Sequence, residues 1–195
     1  MSWYLALIAV IAVERLAELV VSKRNLAWTT ARGGTEYGLG HYPAMVALHV
    51  ALLVGCVLEP ILLDRPFLPA LGWPMLAVVL AAQVLRWWCI TTLGPQWNTR
   101  VVVVPGAERV TGGPYRWISH PNYVAVVVES ATLPLVHSAW LTAIAFTLLN
   151  AILLRTRIKV ENAALASLYG GPDRSDRGKS GYGGQERSDR GRSGR

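Results

Sequence analysis

GPYRWISHPNYVAVVVES, residues 113–130, opens as a polar turn, passes through His120-Pro121 and becomes an apolar run that suits a bilayer. Glu129 sits inside that run. A helix that only fills lipid needs neither the polar and aromatic groups at its start nor a buried acid. Charges within spans are costly, and they usually face a bundle interior or mark a function. Pro121 suits the first turn of a helix, where its missing N–H would have no partner anyway. The first-turn N–H groups then lie at the positive end of the helix dipole, where a carboxylate or the polar groups of a nucleotide can bind. An interfacial aromatic belt with a capping turn accounts for the same residues, and this segment alone leaves both readings open.

The rest of the chain supplies the membrane context. Of its 195 residues 52% are hydrophobic and 16% charged, with mean hydropathy +0.34. A soluble domain carries about a quarter charged residues. Five apolar runs approach the ~20 residues that cross a bilayer, at about 2–21, 41–58, 68–93, 121–137 and 140–157. The first contains Glu14, Arg15 and Glu18 and reads as a span, not a signal peptide. The expectation is an all-α integral membrane protein of about five transmembrane helices. Only Ser138 and Ala139 separate spans four and five, so these two form a short antiparallel hairpin.

Charge placement orients the bundle. Lys23, Arg24 and Arg32 lie in segment 22–40, Arg100, Arg109 and Arg116 in segment 94–120, and the chain from 155 onward is rich in Arg. Segment 59–67 holds only Arg65, beside Glu59 and Asp64. The positive-inside rule then places the N-terminus outside and the C-terminus in the cytoplasm, and a bacterial inner membrane is the expected location. Residues 1–170 form the membrane domain. Residues 171–195, in which RSDRGKSG at 174–181 recurs as RSDRGRSG at 187–194, read as a disordered Arg/Gly/Ser-rich tail. The tail's seven basic and four acidic side chains suit weak attraction to anionic lipid or plain solubilisation, and nucleic acid is not the expected partner.

Other polar groups inside the spans fit structural roles. Glu14 and Glu18 share a helical face beside Arg15, suited to an ion pair with Arg86 of span three. His49 suits a hydrogen-bonded packing role. Cys56 and Cys89 form no pair of metal-binding spacing, so no metal is expected. Glu129 either pairs with Arg86 or meets a substrate. A second polar cluster ends span five, RTRIKVENAAL at 155–165, with Arg157 and Glu161 one turn apart. The tight hairpin brings the start of span four and the end of span five to one membrane face, so His120 and Tyr123 approach Arg157 and Glu161.

GPYRWISHPNY (113–123) followed by RIKVENAAL (157–165) resembles the two-part motif of the isoprenylcysteine carboxyl methyltransferase family and, more loosely, the phospholipid methyltransferases. RLAELVVSKRN (15–25) and GGTEYGLGHYPAMVALHV (33–50) resemble a bacterial branch that includes O-methyltransferases of alkylpyrones and alkylresorcinols. The resemblance implies S-adenosylmethionine as methyl donor at a cytosolic site. It implies that Tyr115, His120, Pro121, Asn122 and Tyr123, with the stretch up to Val110, line the donor pocket, that Glu161 also holds the donor, and that Arg157 faces the acceptor. His120 is the local candidate for a base, and Glu129 for a contact with the acceptor. Ser119 stands where the family usually has Arg, and Asn162 where a second Glu is common, which leaves room for a hydroxyl acceptor. The expected partners are membrane lipid and a lipophilic small molecule, a polyketide hydroxyl being favoured over a prenylcysteine carboxylate or a phospholipid. A membrane scaffold or a small transporter is the non-enzymatic alternative.

Overall fold

The computed structural model describes residues 1–108 and 110–169, so the tail expected at 171–195 lies outside the described residues. Five helices follow one another: α1 Ser2–Thr30, α2 Tyr42–Leu62, α3 Pro69–Leu93, α4 Pro121–Leu135 and α5 Trp140–Tyr169. Pro69 and Pro121 each occupy the first turn of their helix, where proline removes no hydrogen bond. The first and last helices run nine and twelve residues beyond the spans expected at 2–21 and 140–157. The extension of α5 contributes Glu161, Asn162 and Leu165 to the site, and that of α1 holds the segment around Trp97 through Ser22 and Asn25.

Three of the helical stretches are long and apolar enough to cross a membrane by themselves: Leu39–Leu62, Pro69–Gln96 and Trp140–Ala166. The other two of the five expected spans differ for physical reasons. α1 has the length but carries Glu14, Arg15 and Glu18 near its middle. α4 has 15 residues, about 22 Å of helix against ~30 Å of hydrocarbon. Its shortness is tolerable because the turn that follows, Val136–Ala139, is buried. Irregular backbone at depth is tolerated where protein covers it. Ser138 takes a left-handed conformation (φ 58°) to reverse the chain, and α5 begins at once, so the short hairpin is present as expected. Opposite the bundle interior, α5 exposes Leu141, Ile144, Leu148 and Ile152, a stripe at helical spacing that suits lipid.

α4 is the central element, packed most extensively on α3 and then on α5. Tyr4, Ile8 and Ile11 of α1, Leu52 and Cys56 of α2, Val79 of α3, Leu133 and Val136 at the end of α4, and Phe146 of α5 form one core cluster. Glu59 stabilises the same end. Its carboxylate accepts from the Leu141 and Thr142 amides at 3.1 and 2.7 Å and from the Thr142 hydroxyl at 2.8 Å. It thereby caps the free first-turn amides of α5 from another helix.

Between α3 and α4 four consecutive valines, residues 101–104, supply β2, Val101–Val103. It pairs antiparallel with β1, Thr35–Tyr37, with Thr35 opposite Val103. This two-stranded ribbon is the one departure from an all-helical chain among the described residues, and its partner strand carried no clear signal in the sequence. Val101 and Val103 pack on Ala164 of α5, so the ribbon forms a wall beside the end of α5.

Candidate active site

Tyr123, in the first turn of α4, meets both polar residues singled out on α5. Arg157 donates from Nε to the Tyr123 phenol at 2.9 Å, and the phenol donates in turn to the Glu161 carboxylate. The arginine is also held from α2, with Nη1 3.0 Å from Met45 Sδ. His120 stacks on the Tyr123 ring at 5.3 Å, and its Nδ1 lies 3.7 Å from Glu161 Oε1. Its Nε2 lies 3.2 Å from Asn162 Oδ1. The convergence expected from the hairpin is therefore present, and a phenol bridges its cation and its anion.

These residues line a cavity of about 480 Å³. Val110, Tyr115, His120, Asn122, Tyr123, Arg157 and Glu161 all face it, joined by Ser119 and Asn162. Pro121 does not line it; the ring is buried at the start of α4. Burial, with Cys89, Glu161 and Tyr123 nearby, pushes the Tyr115 phenol above its ordinary range. Trp97, Asn98, Arg100 and the ribbon strand Val101–Val103 complete the wall. None of these was identifiable one by one, because nothing in their local pattern distinguishes a wall from a loop. Arg100 is oriented by Glu36 at 2.9 Å and lies over the Tyr42 ring.

A second cavity, about 320 Å³, opens from the same point. Its walls are largely apolar: Leu16 and Leu19 of α1, Val46, Val50 and Leu53 of α2, and Leu153 and Leu154 of α5. Leu16, Leu19, Val46 and Val50 are also exposed on the lipid-facing side, so this cavity reaches the bilayer between α1 and α2. Trp97, Asn98, Asn122, Tyr123 and Arg157 line both cavities.

Glu129 lies outside both, about 9 Å deeper along α4 than Tyr123. It accepts from Arg86 Nη2 and faces Arg15 at 3.6 Å. Arg86 Nε lies 3.7 Å from Glu18, and Gln83 and Trp87 donate to Glu14. The in-span acids thus form one buried network with Arg15 and Arg86, as the structural alternative for Glu129 anticipates. His49 bonds the Met45 carbonyl at 2.8 Å and lines the apolar cavity. Among the described residues no three His, Cys, Asp or Glu side chains cluster in a way that could hold a metal ion.

Residues 75–167 match the isoprenylcysteine carboxyl methyltransferase (ICMT) family. A protein of Bacillus subtilis (strain 168), the uncharacterized YpbQ, is 38% identical over 160 residues, covering 82% of this chain and 94% of that one. This chain belongs to the isoprenylcysteine carboxyl methyltransferase family. An uncharacterized protein of Haemophilus influenzae (strain ATCC 51907 / DSM 11121 / KW20 / Rd) is 24% identical over 162 residues, 83% of this chain and 94% of its own. The protein-S-isoprenylcysteine O-methyltransferase of Tribolium castaneum is 31% identical over 97 residues, 49% of this chain and 34% of its own. Membership makes the protein a membrane methyltransferase, and the matched residues include both halves of the Tyr123–Arg157–Glu161 chain.

Proposed function

We propose that this ICMT-family protein transfers methyl from S-adenosylmethionine to an oxygen of a lipophilic acceptor, with an alkylpyrone- or alkylresorcinol-type hydroxyl favoured. The observation that carries the proposal is the junction of a polar cavity and an apolar one at Tyr123 and Arg157. A charged soluble donor and a greasy acceptor require that arrangement. On the orientation given by basic segments, the polar cavity faces the cytoplasm, with the N-terminus outside and the membrane that of a bacterial cell.

The polar cavity fits the donor. Its volume lies within the range of small-molecule sites. Glu161 suits the cationic end of the donor, while Arg100 and His120 suit its carboxylate. Asn122 Oδ1 is buried without a hydrogen-bond partner, an arrangement that suits an N–H donor from a ligand. Tyr115 and Trp97 add aromatic surface.

When bound, S-adenosylmethionine supplies a methyl group on sulfonium sulfur, open to in-line attack by an acceptor oxygen. Tyr123 fixes Glu161 on the donor side and Arg157 on the acceptor side. Arg157 favours an anionic oxygen through its charge, so the acceptor hydroxyl gives its proton to water of the polar cavity before it takes the methyl group. The Leu and Val walls exclude water and hold the acceptor's chain, and such positioning contributes up to ~7–11 kcal/mol. His120 lines the polar cavity but not the apolar one. It therefore sits on the donor side. Ser119 lines the polar cavity and not the apolar one, so it adds no charge beside the donor and does not decide the acceptor. The Tribolium relative's name supports a prenylcysteine carboxylate as the second reading.

The test is transfer of labelled methyl by purified protein in lipid, offered a long-chain alkylresorcinol, an alkylpyrone or a farnesylated cysteine. Label on the polyketide-type acceptors, lost in Arg157→Ala and Glu161→Ala, is the expected result. Label only on the prenylcysteine replaces the acceptor and keeps the site. No label on any of them overturns the reading.

A further inference from the structure

Trp97 sits where the two cavities meet, and only 3% of its surface is exposed. Its indole nitrogen has no hydrogen-bond partner. An indole N–H only donates, and a buried donor left unpaired is destabilising enough that native structures rarely contain one. The other residues of the junction are differently engaged. Tyr123 and Arg157 bond to each other, Asn98 bonds to Ser22, and the unpaired atom of Asn122 is an acceptor.

The ring is held in place by its backbone. Asn25 of α1 donates to the Trp97 carbonyl at 2.7 Å and to Gly94 O at 3.1 Å. Trp97 N donates to Gly94 O at 3.0 Å. Two residues on, Thr99 N donates to Ser22 Oγ at 3.1 Å. The segment is strapped to α1 on both sides of the residue, so its backbone is fixed at the junction.

We infer that Trp97 is a positioning residue for the acceptor, its indole N–H donating to the oxygen that receives the methyl group. The inference rests on reading the apolar cavity as the acceptor site. It requires an oxygen there and nothing more specific, because a hydroxyl, a phenolate or a carboxylate each accepts this bond. With Arg157 on one side and Trp97 on another, the oxygen is held by two donors at the one place both cavities share.

Trp97→Phe keeps an aromatic ring and removes the donor. The experiment titrates 3-pentadecylphenol and pentadecylbenzene, separately, into donor-free full-length protein in nanodiscs, and measures methyl transfer to the phenol in parallel. The variant binds the phenol about tenfold more weakly than the wild type, or worse. Binding of pentadecylbenzene weakens less than that of the phenol, because only the phenol needs the N–H. Equal weakening for phenol and benzene marks a packing role and overturns the inference, as does no weakening, or no binding of the phenol to the wild type. Phenol binding that depends on Trp97 but gives no methyl ether from any oxygen acceptor removes the catalytic reading and leaves the contact standing.

Discussion

Arg157 and Glu161, one helical turn apart on α5, are joined through a single phenol on α4: Arg157 donates to Tyr123, and Tyr123 donates to Glu161. The cation lines both cavities, whereas the anion lines only the polar one. One hydroxyl therefore couples the residue assigned to the donor with the residue assigned to the acceptor.

Tyr123→Phe tests that coupling. It leaves the ring stacked on His120 and removes the link. Donor affinity is expected to fall together with methyl transfer, each by about tenfold or more, as for hydrogen bonds to charged groups. In a cycle with Glu161→Gln the two changes are less than additive, with an interaction of about 0.5–3 kcal/mol. Additive losses in calorimetric donor titrations would show that the two act separately.

The buried network around Glu129 has a different signature. Arg86→Met leaves the Glu129 carboxylate without its closest partner, and breaking a buried pair from one side costs about 3–5 kcal/mol. The expected outcome is a large loss of stability in denaturant titrations in micelles, with donor affinity of the folded fraction preserved. Glu129→Gln is expected to be milder and to retain turnover. Normal stability combined with lost turnover would place Glu129 in acceptor chemistry instead.

Glu59 acts at the opposite end of the bundle. Glu59→Ala removes the acceptor for two first-turn amides of α5, and loss of a cap costs about 1 kcal/mol. Thermal unfolding is expected to shift downward while kcat and donor affinity stay unchanged. A change in kcat would mean that the start of α5 communicates with the site.

Tyr115 links pH to stability. Below the ordinary tyrosine pKa of about 10, the phenol is protonated in both folded and unfolded chains and contributes no slope. Above it the unfolded phenol ionises while the half-buried folded one, raised by desolvation, does not. Stability therefore falls as pH rises past about 10. Tyr115→Phe is expected to flatten part of that fall in unfolding titrations between about pH 9 and 11, with no difference at pH 7. Identical slopes would show that the phenol is not buried in solution.

Much of this was legible in the sequence, for identifiable reasons. Helix starts at Pro69 and Pro121 follow from proline geometry, and the two-residue gap expected after span four forces the hairpin that joins His120 and Tyr123 to Arg157 and Glu161. What was not legible depends on contacts between distant segments. The strand at Thr35–Tyr37 exists because Val101–Val103 pairs with it. Trp97 faces the cavities because Asn25 and Ser22 hold its segment to α1. The proximity of Met45 to Arg157 needs α2 to cross α5. The expected span 121–137 runs only two residues past the end of α4 at Leu135, into the buried turn Val136–Ala139.

The central claim is that the cavity between α4, α5 and the ribbon holds S-adenosylmethionine, and its most direct test is equilibrium binding of that molecule to the full-length protein in nanodiscs. Saturable one-site binding is expected, weakened about tenfold or more by Glu161→Gln and unaffected by Glu129→Gln. Absence of saturable binding, or equal affinity in wild type and Glu161→Gln, would contradict the account.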